Sequence, residues 1–103
     1  MRGMQDMLRQ AQMMQKKMTA VQEELKVREV EGSAGGGMVT VRATGGQQIL
    51  SVVIDKSVVE SGDVEMLQDL VLAAVTDALK KAKTMMEEEM GKITGGMKIP
   101  GMF

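Results

Sequence analysis

Near the start of the chain, apolar residues recur at Met4, Met7, Ala11, Met14, Met18, Val21 and Leu25, in alternating steps of three and four. This is the a/d spacing of a coiled-coil seam, and it predicts a helix from Met4 that ends between Leu25 and Arg28, with one narrow apolar stripe. At about 1.5 Å per residue, such a helix runs about 37 Å. Val27, Glu29, Val30 and Glu31 then shift toward a period of two and predict a strand to about Ser33. Gly35-Gly36-Gly37 reads as a flexible hairpin loop. From Met38 to Thr44, Val39, Val41 and Ala43 face one way and Thr40, Arg42 and Thr44 the other, as in a strand with one wet face. Gly45-Gly46 predicts a tight turn with positive φ. Residues Gln48 to Asp55 form a third strand with Leu50, Val52 and Ile54 on one face and Ile49, Ser51 and Val53 on the other.

Ser57-Val58-Val59-Glu60 has the spacing of a capping box and predicts one helical turn before Gly62. Asp63 is placed to cap a second long helix. Between Val64 and Met90, Leu67, Leu70, Val71, Ala74, Val75, Ala78, Leu79, Ala82, Met85 and Met86 make a wider stripe than a seam, suited to covering a sheet. Gly91 reads as the stop, and Gly95, Gly96, Pro100 and Gly101 leave residues 91–103 as a flexible tail. The expected fold is a single α+β domain over residues 1–90, in the order α-β-β-β-α, with a three-stranded antiparallel meander and two long helices. Helices of about 40 Å overhang a sheet about 20 Å long. Residues 1–20 and 78–92 are therefore expected to project as an arm, and so small a core predicts a symmetric homodimer.

Composition narrows the chemistry. Among 103 residues there is one aromatic, Phe103, while thirteen Met fill the role aromatics usually take. The chain has no Cys and no His, which removes disulfides, thiolate nucleophiles, imidazole bases and the usual zinc ligands. Gly35-Gly36-Gly37 lacks the Lys-Ser/Thr and the helix of a phosphate loop, and Glu87-Glu88 diverge around a helix rather than converge. No catalytic, metal or cofactor residue is nominated, and the protein is expected not to be an enzyme and to take no small-molecule substrate. No apolar run reaches the roughly 18 residues of a membrane span and no signal-peptide pattern opens the chain, so a cytoplasmic protein with no membrane partner is expected.

The net charge is −1, but it is unevenly spread. Residues 1–20 carry Arg2, Arg9, Lys16 and Lys17 against Asp6, a balance of +3. Residues 56–77 carry Lys56 against Glu60, Asp63, Glu65, Asp69 and Asp77, a balance of −4. Residues 78–103 carry Lys80, Lys81, Lys83, Lys92 and Lys98 against Glu87, Glu88 and Glu89, a balance of +2. Arg2, Arg9 and Lys16 recur every seven residues opposite the apolar seam, with Lys17 beside them. Such a row is either a solvated face or a set of phosphate contacts. Lysines near a helix C-terminus are also favoured by its dipole, which gives Lys80, Lys81 and Lys83 a second explanation. Lys26, Arg28 and Arg42 lie nearer the sheet and are expected to be solvated or ion-paired.

The Met/Gln-rich stretch from Met4 to Met18, with Gln10-Ala11-Gln12-Met13-Met14, resembles the YbaB/EbfC family of bacterial nucleoid-associated proteins. So do Gly32-Ser33-Ala34-Gly35-Gly36-Gly37-Met38-Val39, Ile54-Asp55-Lys56-Ser57, Glu65-Met66-Leu67-Gln68-Asp69-Leu70-Val71 with Ala74, and Gly95-Gly96-Met97-Lys98-Ile99-Pro100-Gly101. Lys56 stands where the family often has Pro. The resemblance implies a homodimer with tweezer-like helical arms that binds double-stranded DNA in the cytoplasm, at the nucleoid, and contributes to nucleoid organisation and gene regulation. It points to Arg2, Arg9, Lys16, Lys17, Lys80, Lys81 and Lys83 as DNA contacts. The alternative is a helical adaptor whose Met-rich arms grip other proteins without touching DNA. No aromatic platform for stacking bases and no helix-turn-helix spacing is present, so single-stranded targets and base reading are disfavoured.

Overall fold

In a computed structural model, residues 2–94 are described, except for the side chain of Arg2. The elements are α1 (Arg2–Leu25), β1 (Glu29–Ala34), β2 (Val39–Thr44), β3 (Ile49–Ile54), α2 (Lys56–Glu60) and α3 (Val64–Ile93). The expected α-β-β-β-α order holds, and the helical turn expected before Gly62 is present as α2, between β3 and the second long helix. The molecule is elongated, 72 Å along its main axis and 23 by 16 Å across it.

The three strands form an antiparallel meander in the order β1-β2-β3. Cross-strand partners share a face, so the pairs Val39–Ile54 and Val41–Val52 place the predicted apolar positions together. A register shift at Arg42/Ala43 then sets Ile49 opposite Ala43, where unbroken alternation places Leu50. Helix α3 lies across β1 and β2 and leaves β3 largely outside its cover. The core is this contact: Val39, Val41 and Ala43 of β2 are fully buried with Ala74 and Ala78 of α3.

Small residues set the helix-to-sheet distance. A Cβ on Gly32 would lie 2.3 Å from the Ala78 amide nitrogen and 2.5 Å from the Ala74 carbonyl oxygen, so glycine is what allows α3 to approach β1 so closely. Gly45 plays a similar part at the base of α1, where a Cβ would sit 2.9 Å from the Leu25 carbonyl oxygen. The positive φ expected in the β2–β3 turn falls instead on Gln47, at 66°.

Two helix boundaries differ from the sequence expectation. The cap of α2 is Asp55, not Ser57: the Asp55 carboxylate accepts from the Ser57 backbone N–H at 2.9 Å and from the Ser57 hydroxyl at 2.8 Å. Lys56 is then the first helical residue, a position that also suits proline. Asp63 caps α3 as expected, accepting from the Met66 N–H at 3.0 Å. Gly91 does not stop α3, which continues to Ile93. Burial of Met90 and Thr94 on either side outweighs the roughly 1 kcal/mol that a glycine costs a helix. The remainder of the predicted tail, residues 95–103, lies outside the described residues.

The outer edge of β1 is closed by side chains of α3. Asp77 accepts from the Ser33 N–H at 3.0 Å, and Lys81 donates to the Glu31 carbonyl at 2.9 Å. The two side chains also meet each other at 3.2 Å.

Candidate nucleic-acid interface

Helix α1 has a root and a free length. At the root, Leu25 is buried, Val21 and Met18 are half-buried, and Met86 of α3 lines a small hollow with Gln22 and Leu25. Arg28, just past the helix, pins this junction to α3 through Glu89, 3.1 Å away. Beyond Met18, every α1 residue whose side chain is described is exposed. That length, residues 2–17, is about 24 Å of helix at ~1.5 Å per residue, with nothing packed along it among the described residues.

The free length carries the cation row. Arg9, Lys16 and Lys17 are exposed, and none has a salt bridge among the described residues. Arg9 and Lys16 stand two turns apart on one face, about 10.5 Å along the axis. Arg2 begins the same helix; its side chain lies outside the described residues. Gln12, Gln15, Lys16 and Thr19 border a shallow hollow on this arm.

The lysines of α3 are placed differently. Lys81 is engaged by Asp77 and the Glu31 carbonyl, so it belongs to the closed edge of β1. Lys80 shares a groove with Arg28, Glu31, Asp77 and Glu88 along that edge, and Lys83 is exposed one turn on from it. Residues 78–82 therefore lie beside the sheet and do not overhang it, contrary to the expectation from segment lengths. The reason is an offset: α3 begins at Val64 but meets the β1–β2 hairpin only near Leu70, whose Cδ2 is 2.8 Å from where a Gly35 Cβ would stand. Its first turns project at the hairpin end, and the stretch over the sheet is shifted toward the C-terminus.

Cations near the sheet are ion-paired, as expected for Lys26, Arg28 and Arg42: Lys26 with Glu23 at 3.0 Å, Arg28 with Glu89 and Glu24, and Arg42 with Glu29. Hydrogen bonds from Lys92 and Arg28 hold the Glu89 carboxyl below its usual range. The Ser33 N–H and then Lys81 do the same for Asp77, and the Ser57 N–H and hydroxyl for Asp55. Glu89 was invisible to sequence reasoning as the clasp at the arm's root, because its partner Arg28 is 61 residues away. Among the described residues there is no cluster of acidic side chains fit to hold a metal ion, and no helix is long and apolar enough to cross a membrane.

These features define an α+β protein that presents, beyond a compact sheet, a cationic helix whose Arg9, Lys16 and Lys17 have no ion pair among the described residues. The chain is 57% identical over 99 residues to a nucleoid-associated protein of Acetivibrio thermocellus, spanning 95% of this chain and 88% of that one. It is 51% identical over 101 residues to a nucleoid-associated protein of Alkaliphilus metalliredigens, spanning 98% and 89%. A crystal structure of an uncharacterized protein from Helicobacter pylori superposes with a TM-score of 0.73 at 26% identity, covering 82% of this chain and 89% of that one. Residues 1–97 match the YbaB/EbfC DNA-binding family, and the chain belongs to that family.

Proposed function

We propose that the protein is a nucleoid-associated DNA-binding protein of the cytoplasm, not an enzyme, which grips duplex DNA as a homodimer through phosphate contacts from its α1 arms. The observation that carries this reading is the row of Arg9, Lys16 and Lys17 on a free helix, without carboxylate partners among the described residues. Cations already paired in the protein give up that pairing when they meet phosphate; these do not. Arg2 belongs to the same row, and Lys80 and Lys83 add to the positive field at the arm's root, with Lys81 a weaker contributor because Asp77 engages it. The contact neutralises phosphates and releases counterions, without base reading. Organisation of the nucleoid and effects on gene expression would follow from such sequence-independent clasping.

Dimerisation is supported by the β3 edge of the sheet, which α3 leaves uncovered. Leu50, Val52 and Val53 of β3 are exposed, as is Val59 of α2, the element that follows it. Apolar groups concentrated on one edge strand and its neighbours favour burial against a second copy.

The test is a mobility shift on random duplex at two salt concentrations, with Arg9→Glu plus Lys16→Glu alongside the wild type. The double variant is expected to keep its helicity and oligomeric state and to lose DNA affinity. Equal affinity in both proteins overturns the reading. A second reading, a protein-interaction adaptor, is favoured by one observation: Met4, Met7, Leu8, Met13 and Met14 are all exposed on α1. An adaptor shows no salt-sensitive affinity for duplex in the same assay.

A further inference from the structure

Methionine is unevenly protected in this chain. Met4 is 63% exposed, Met7 71% and Met13 53%, whereas Met90 is 4% exposed. Met14, on the seam, is also exposed. Met4, Met7 and Met14 lie on the seam side of α1. Met13 lies on the other side, one turn from Arg9, Lys16 and Lys17 by its i+3 and i+4 spacing. Four accessible thioethers thus surround the same free length of helix that carries the cation row.

That length is poorly defended as a helix. Residues 2–17 gain no burial from the rest of the described chain, and an isolated helix of this size is marginal in water. Its helicity rests on local propensity, in which methionine is among the favourable residues. A sulfoxide is polar and chiral and accepts hydrogen bonds strongly, which undoes that contribution.

From this placement we infer that Met4, Met7, Met13 and Met14 form an oxidant-reactive site on the arm, through which peroxides or hypohalous acids loosen α1 and weaken its hold on DNA. With hydrogen peroxide, the sulfur lone pair attacks one peroxide oxygen. An S–O bond forms, the O–O bond breaks and water leaves, so the thioether loses two electrons and the peroxide gains them. No charge is added to the arm. The effect on DNA comes from losing the helical register that spaces Arg9 from Lys16. The part concerning DNA rests on the function proposed above; the order of oxidation and the loss of helix do not.

The full-length protein is treated with hydrogen peroxide, quenched at intervals, and each methionine followed by peptide mass spectrometry. Met4, Met7, Met13 and Met14 are expected to convert at least about tenfold faster than Met90, as exposure dictates. Circular dichroism should fall in step, and the dissociation constant for random duplex should rise at least about threefold. Methionine sulfoxide reductases should restore both. Leucine at the four positions should leave helicity unaffected by peroxide. Arm methionines that oxidise no faster than Met90, or that oxidise without loss of helicity, overturn the inference. If Arg9→Glu with Lys16→Glu binds DNA as the wild type does, the DNA reading falls, while oxidation order and helicity still decide whether the arm is the reactive site.

Discussion

Replacing Gly32 by alanine tests the contact on which the whole body is built. The added Cβ would stand 2.3 Å from the Ala78 nitrogen and 2.5 Å from the Ala74 oxygen, where ordinary contact begins near 3.4 Å. Both neighbours are backbone of α3, so no side chain can swing aside. The helix has to retreat by about 1 Å, and a radial gap of that size forfeits roughly a quarter to a half of the dispersion energy of the atoms facing it. The layer that opens contains Val39, Val41, Ala43, Ala74 and Ala78, all fully buried. Overpacking alone costs about 1–3 kcal/mol, and the opened layer brings the expected loss to about 3 kcal/mol or more. Set against a typical domain stability of about 5–15 kcal/mol, that is a large share. At about 4–8 °C per kcal/mol, the melting temperature should drop by at least about 12 °C. Urea and thermal melts at one fixed protein concentration measure it, because self-association would make stability depend on concentration. The control is Gly91→Ala, where a Cβ meets nothing within 4 Å inside α3 and about 0.5–1 kcal/mol of stabilisation is expected. A Gly32→Ala protein within about 0.5 kcal/mol of wild type would show that α3 does not rest on β1 at this distance.

Other features of the fold carry outcomes of their own. Gln47→Gly should stabilise the fold by up to about 1 kcal/mol in urea melts, because the φ of 66° at that position burdens a side chain and not a glycine. Asp77, Glu89 and Asp55 have folded-state values below their unfolded ones. Their contribution is therefore present above the ordinary carboxylate range, near pH 4, and is lost as pH falls through the lowered values. Urea melts at several pH values should show the drop beginning near pH 4, and Asp77→Asn should flatten part of it. Leu50→Lys with Val52→Lys should give a monomer by sedimentation if the β3 edge is where copies meet. Lys16→Ala should lower the log–log salt slope of duplex binding by about two units in a dimer that lays both arms on DNA, about one per lost contact.

The sequence revealed most of the fold because its signals are local. Alternation fixed the faces of β2, Asp63 announced the start of α3, and the seven-residue recurrence from Met4 to Leu25 declared a long helix. What it hid depends on distances along the chain. Gly32 looks like part of a glycine-rich loop until Ala74 and Ala78 are seen against it. Gly45 looks like a turn residue, but its lack of a side chain serves the packing of Leu25. The overhang of the second long helix is not legible from its length, because length alone does not say where a helix first meets a sheet; Leu70 does. For the candidate site, the row Arg9, Lys16 and Lys17 could be read from spacing. The engagement of Lys81 by Asp77 and the Glu31 carbonyl could not, since it needs β1 and α3 side by side.

The closed edge of β1 has a consequence for how copies of this chain can add to one another. Asp77 and Lys81 occupy the Ser33 N–H and the Glu31 carbonyl that a neighbouring strand would otherwise use. Strand-to-strand growth is disfavoured at that margin, which leaves β3 as the favoured border for any such pairing. A sheet with one sealed border and one open border can join a twin, border to border, but cannot pass the join along. Association by this route ends at a pair, and a filament has no second seam from which to grow.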